Sequence, residues 1–224
     1  MLDSFRDAFK LPDLKRRILF TIGVLFVFRL GAHIPTPGID AAAMAGLFQE
    51  GGILSFFDLF AGGALRRFSV FALGVAPYIN ASIVIQLLTV VIPALERLQK
   101  EGEEGRRKIT QYTRVSTIFF AAVQAAGMAF WLRGLGVFPS GALNMGVVVI
   151  TLVTGCMTVM WLGEMISDHG IGNGISLLIF AGIVARLPEA VIRTWSMLRA
   201  GEMNALTLLV ALVIIVLVVA GCIV

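Results

Sequence analysis

Glu164 and Asp168 stand four residues apart at the end of a long apolar run. That spacing puts two carboxylates on one helix face, an arrangement suited to acid–base work or cation binding. At the boundary of the run, however, a carboxylate reaches water at little cost. His33 and His169 also fall at the ends of apolar runs, on opposite sides of the bilayer, and cannot form one site. Cys156 and Cys222 lie inside apolar runs with no CxxC pair or Cys/His cluster, so neither a disulfide framework nor a metal site is indicated. Arg29 is the one clearly intramembrane charge, a cost of about 3 kcal/mol at mid-bilayer that falls if the side chain snorkels outward. HExxH, GxSxG, a P-loop and an EF-hand loop are missing. Gly170-Ile171-Gly172-Asn173-Gly174 is not GxGxxG and follows no strand, so it is not read as a nucleotide site. The expectation is a protein that is no enzyme and needs no cofactor or metal.

The suggestive spacings are instead aliphatic. Val75 and Ile79 share one helix face, as do Ile175 and Ile179. The first pair lies in Phe68–Pro93, a run of membrane-crossing length that also carries Pro77, Asn80, Ser82, Gln86 and Thr89. A lipid-facing anchor has no use for these polar groups, which must find partners or touch water. Asn80 and Gln86 are read as lying off the face of Val75 and Ile79, giving an apolar gasket face and a separate polar seam. A proline-kinked helix with ordinary interhelical hydrogen bonds, and core packing for both pairs, fit the same residues.

The elements that must position these residues are membrane helices. Of 224 residues 58% are hydrophobic and 14% charged, against about 25% charged in soluble domains. Six apolar segments are expected as spans, at 18–34, 68–93, 115–132, 143–166, 175–195 and 205–224. The apolar part of the fifth ends at Leu187, about 20 Å of helix, and is expected to continue past Pro188 toward Trp195. The last is still apolar at Val224, which reads as a fragment cut within or just after a span. Residues 1–17 fit an amphipathic cytoplasmic helix, with Leu2, Phe5 and Phe9 at helical spacing, and no cleavable signal peptide. Lysines and arginines concentrate at 1–17 and in the basic loop 94–114, which holds Arg97, Lys100, Arg106, Arg107, Lys108 and Arg114. The N-terminus is therefore expected in the cytoplasm, with the positive charge serving lipid headgroups or cytoplasmic partners rather than specific DNA binding.

Two connections are unusual. Within the outer segment 35–67, Ile53, Leu54, Phe56, Phe57, Leu59, Phe60 and Leu65 make a stretch too apolar for a solvated loop and too short to span. It is either re-entrant or an interfacial helix, with glycine pairs at both ends. The glycine-rich turn 167–174 permits a tight cytoplasmic reversal with positive φ.

FRLGAHIPTPGID, GGALRRFSVFALGVAPYINASIVIQLLTVV, KEGEEGRRKITQYTR and MWLGEMISDHGIGNGISLLIFAGIVARLP, long motifs in order and spacing, resemble the SecY/Sec61α family of protein-conducting channel subunits. The bacterial branch is the nearer, and the resemblance covers residues 14 to 224. It implies an all-α polytopic membrane bundle, here the first half of a pseudo-symmetric ten-span channel plus the sixth span. It further implies a pore ring at Val75, Ile79, Ile175 and Ile179, where Val75 departs mildly from the family's isoleucine. A plug helix is implied at about 53–65, and a lateral-gate seam at Asn80, Gln86 and Gln124. The implied partners are SecE, SecG, SecA or a translating ribosome, and a nascent secretory polypeptide with its signal sequence, in the bacterial plasma membrane. The competing class is a secondary carrier of a small solute with a helix broken at Pro77, which would need a set of coupling-ion ligands. No such ligand set is found in the sequence, and a third class, a lipid-embedded assembly scaffold, leaves the plug-like stretch unexplained. One tension remains in the pattern. Hydropathy puts Ile79 near mid-run but Ile175 at the start of its run, so a level ring requires the fifth helix to begin deeper, after backbone lining a water-filled funnel.

Overall fold

Thr113, Thr117, Ala121, Ala125 and Ala129 recur every fourth residue and are all buried along one helix, Glu103–Gly134. A stripe of small residues lets neighbouring backbones approach closely where lipid supplies no hydrophobic drive between helices. The threonine hydroxyls on the stripe donate to their own helix, Thr113 to Ile109 O (3.0 Å) and Thr117 to Thr113 O (2.7 Å). The stripe therefore presents no unsatisfied polar atom to its neighbours.

The structure is a computed structural model that describes residues 12–37, 39, 63–134, 142–200, 210, 213, 214 and 216–221. The chain divides into two units, Met1–Val184 and Ala185–Val224. The first holds α1 (Pro12–Gly31), α2 (Ala76–Val91), α3 (Pro93–Lys100), α4 (Glu103–Gly134), α5 (Ala142–His169) and α6 (Gly174–Val184). Among the described residues the regular elements are helices, with one isolated bridge between Pro35 and Ser69. Helix α4 is the spine: α2 and α3 pack on it from one direction and α5 from another, while α1 and α6 lie against α5. One core gathers Leu65, Phe68, Ala72, Leu73, Ala121, Ala125, Leu132, Val148, Leu152 and Cys156. A second joins Val24, Phe28, Phe71, Val75, Val159, Leu162, Ile166 and Leu178. In the second unit, α7 (Leu187–Arg199) starts with Pro188 in its first turn, and the Arg199 guanidinium lies 5.4 Å over the Trp195 ring. Residues 216–221 are helical and, like Val213 and Ile214, exposed.

By length and composition Glu103–Gly134, Asn144–His169 and Gly174–Arg199 can cross a membrane, and the bent pair α2–α3 makes a fourth candidate. Helix α1 is charged at both ends, by Lys15, Arg16 and Arg17 and by Arg29, with its apolar stretch between.

Several boundaries differ from the hydropathy pattern. The run from Phe68 does not begin as helix; residues 63–75 form turns, and α2 starts at Ala76. Phe68 has φ +42° and is fully buried, while Gly63 and Gly74 also take positive φ. A left-handed Phe survives only where the surroundings over-determine it. Here Thr36 N–H donates to Phe68 O (2.9 Å), Phe68 N–H to Leu65 O and Val70 N–H to Ile34 O (3.0 Å). Pro77 therefore kinks nothing; it occupies the first turn of α2, where its missing N–H costs nothing. The sharp bend lies later, 100° at the Ile92–Pro93 junction. The expected basic loop 94–114 is helical over most of its length, as α3 and the first three turns of α4. Gly102 (φ +78°) makes the reversal, and Gly105 lies directly under the Leu98 carbonyl, a contact that any side chain would obstruct.

Candidate functional site

The site is a cleft of about 600 Å³ bounded by α2, α4, α5 and α6. Local chemistry sets each wall. Helix α2 opens with Ile79 N–H donating to Val75 O (3.1 Å), so the Val75/Ile79 pair is its first hydrogen-bonded turn. From there Ile79, Ile83 and Gln86 follow at helical spacing into the cleft, flanked by Tyr78 and Ser82. Helix α6 is capped by Asn173, whose Oδ1 accepts the Ser176 N–H (3.2 Å). It then points Ile175, Ser176 and Ile179 inward. Ser167, Asp168 and Glu164 come from α5, and Thr110 and Arg114 from α4.

The opposite end of the cleft from the aliphatics is charged. Arg114 Nε donates to Glu164 Oε1 (2.9 Å) and Nη2 lies 2.8 Å from Oε2, a bidentate pair joining α4 to α5. The Glu164 side chain is only 17% exposed, so the pair is more than a solvated surface contact. A second cavity, of about 640 Å³, shares Thr110, Arg114 and Asp168 with the first and continues along α4 past Arg106 and Arg107 to Glu103. The cleft with its aliphatic wall is thus continuous with a polar cavity along α4.

Of the expected ring residues, Ile79, Ile175 and Ile179 line this one cleft. Val75 does not; as the residue capping α2 it is buried in the second core, with Ile175 and Ile179 packed against that core's edge. The expectation that Gln86 avoids the face of Ile79 fails, because seven residues are close to two full turns and bring Gln86 back into the cleft. Asn80 is exposed and Gln124 half-buried, and neither lines the cleft. Of the plug stretch, Ile53, Leu54, Phe56, Phe57, Leu59 and Phe60 lie outside the described residues, while Leu65 is buried in the first core. Arg97 and Lys100 are on α3, where Lys100 Nζ pairs with Glu96 (2.6 Å), and Arg106, Arg107 and Lys108 are exposed on α4. Leu2, Phe5, Phe9 and Cys222 lie outside the described residues. The Arg114–Glu164 pair went unread in the sequence because its partners are fifty positions apart. The polar spacing Glu164/Ser167/Asp168 was the available signal.

The glycine turn is built differently from a run of positive φ. Only Gly172 takes it (+68°). Gly174 is needed for close approach to the Gly163 carbonyl, and Gly170 for its contact with Thr21 and the Ile166 carbonyl. Ser167 Oγ accepts the Gly174 N–H (2.9 Å) and ties the turn back to α5. Ile175 therefore begins its helix close against α5 and lines the same cleft as Ile79.

Several membrane-length helices packed around a cleft with aliphatic and charged walls define a polytopic α-helical membrane protein. A family model for SecY matches residues 69–224, and the chain belongs to the SecY family. The SecY protein translocase subunit of Escherichia coli K12 is 52% identical over 212 residues, covering 92% of this chain and 48% of that protein. The Aquifex aeolicus subunit of the same name is 46% identical, covering 93% and 51%. This chain thus spans about half the length of these relatives. Among solved structures, Sec61 of a canine ribosome–channel complex from the endoplasmic reticulum superposes with TM-score 0.63 at 23% identity, covering 93% of this chain and 47% of that one. A structure described as a protein-conducting channel matches equally well. At that identity these two establish the fold.

Proposed function

We propose that this chain supplies the first five spans and the sixth of the central subunit of a protein-conducting channel. That channel passes unfolded secretory polypeptides across the bacterial plasma membrane and releases membrane segments sideways into lipid. The observation that carries the reading is the convergence of Ile79, Ile175 and Ile179, from helices far apart in sequence, on one cleft within a SecY-family chain. Aliphatic side chains close around an extended polypeptide yet form no lasting hydrogen bonds with it, and a narrow apolar neck dewets and resists ion flow. Val75, behind Ile79, backs the ring. Covalent chemistry has no part in the mechanism; the driving energy belongs to partners.

On this reading Ile53 to Leu65 form the plug, and Asn80, Gln86 and Gln124 belong to the seam that a signal sequence opens. The N-terminus is cytoplasmic. The hairpin of α3 and α4, with Arg97, Lys100, Arg106, Arg107 and Lys108, meets anionic lipid, a translating ribosome or the SecA motor, while SecE and SecG hold the assembled subunit. A solute carrier is disfavoured by the family match. The test is a crosslink in the assembled channel. With Cys156 and Cys222 replaced, Ile79→Cys is combined with a stalled secretory chain carrying its own cysteine. A disulfide is expected; silence at position 79, with lipid-facing controls normal, refutes the ring.

A further inference from the structure

Helix α1 contributes no residue to the cleft wall, yet it packs on α5 and α6, which do, and its end touches the turn segment that leads into α2. At its C-terminal end Gly31 lies against the Phe71 ring, so closely that no side chain fits between them, and Phe28 stacks on that ring at 5.9 Å with planes 6° apart. Near its middle Thr21, buried to 7% exposure, makes two hydrogen bonds. Its Oγ1 donates to Arg17 O (2.8 Å) and accepts the Ile171 N–H (3.2 Å). Arg17 Nη1 adds a long bond to the Gly170 carbonyl (3.4 Å). Phe71 precedes Val75 by four residues, and Ile171 precedes Ile175 by four. Each aliphatic pair therefore begins four residues beyond a contact with α1, and the two contacts lie about 15 Å apart along its axis.

We infer that α1 is a strut that holds the two aliphatic pairs in register, with Thr21 the positioning residue at the α6 end. This rests on the channel reading for its consequence but not for its geometry. The α5–turn–α6 hairpin is continuous in sequence and closes on itself through Ser167, Gly163 and Gly174. The hairpin meets the segment leading into α2 through close and apolar contacts, Gly155 against the Val70 carbonyl and Val159 and Leu162 in the core shared with Phe71 and Val75. The link from Thr21 to the turn adds a polar contact at the α6 end. A valine at position 21 keeps the branched shape and removes the acceptor of the Ile171 N–H. A serine keeps the acceptor and loses only a methyl.

The test uses the assembled channel in membrane vesicles, with Cys156 and Cys222 replaced by alanine. Cysteines at positions 79 and 175 are bridged by a short flexible bis-maleimide, and in a parallel protein cysteines at 114 and 164 report α4 against α5. Thr21→Val is expected to lower 79–175 bridging about fivefold, the equilibrium weight of one net hydrogen bond. Thr21→Ser restores it, and 114–164 bridging stays unchanged throughout. Unaltered 79–175 bridging in Thr21→Val overturns the inference. So does an equal loss at both pairs, which makes Thr21 a general packing residue, or a failure of serine to rescue, which assigns the effect to the methyl. No translocating chain takes part in this assay. Bridging that behaves as expected beside a silent position 79 in the polypeptide crosslink leaves the strut standing and removes the channel reading.

Discussion

Single side chains in the cleft divide by what they offer a passing chain. Ile79, Ile175 and Ile179 offer only apolar contact, whereas Gln86, Asn173 and Asp168 can hydrogen-bond but lie among them or toward the polar cavity. If the aliphatics form the seal, removing one should let water and ions through. Ile175→Gly in an assembled channel is expected to raise closed-state ion conductance about tenfold, the equivalent of fewer than two methylenes of apolar lining. Conductance measured in planar bilayers at the parental level would remove Ile175 from the seal. The i, i+4 aliphatic pairs were legible as faces from spacing alone. Their meeting was not, because it joins helices far apart in sequence; Gln86, seven residues and close to two turns beyond Ile79, was legible from spacing but was misread.

At the scale of elements, the basic segment after α2 shows what hydropathy misses. Its charge marked it as aqueous, but charge does not forbid helix, and Lys, Arg, Glu and Gln are good helix formers. Pro93 starts α3 after the bend, and Glu96 and Lys100 pair one turn apart on its exposed face. The hydrogen bond from Lys100 holds the Glu96 carboxyl below its ordinary pKa. A depressed carboxylate pKa stabilises the folded element at pH values above the unfolded pKa, and that contribution is lost as pH falls through the folded one. An NMR titration of Glu96 is expected to show its midpoint below that of an unpaired glutamate, and Lys100→Gln should return it upward. An unmoved midpoint would mean that the pair does not persist in solution.

For the whole molecule, the proposed channel closes by more than one layer. On the channel reading proposed above, residues 53–65 are the stopper; of the stretch's plug residues Leu65 is described, and it is buried in the first core. Deleting residues 53–65 in an assembled channel should loosen closure enough for secretory chains with defective signal sequences to pass. Export assays with such chains check this, and strict selectivity retained after the deletion would end the plug assignment. The deletion also removes a core residue, so Leu65→Ala alone serves as the comparison for damage to packing.

The sequence by itself determined the medium and the class. A chain this apolar, with charges gathered at the ends of its runs, can satisfy its backbone in lipid only as helices, and its long ordered motifs carry the family. The distance from spacing to site was crossed only in three dimensions. Where α2 begins depends on Phe68 and Val70 being held by the backbone of Ile34 and Thr36 across the chain. The start of α6 rests on glycines that let it approach α5, and the turn before it donates to a hydroxyl from α1. Arg114 and Glu164 find each other only once α4 and α5 have packed. Hydropathy and periodicity are properties of one segment at a time. The phase and depth of a helix are set by its neighbours, so the cleft exists only in the packed bundle.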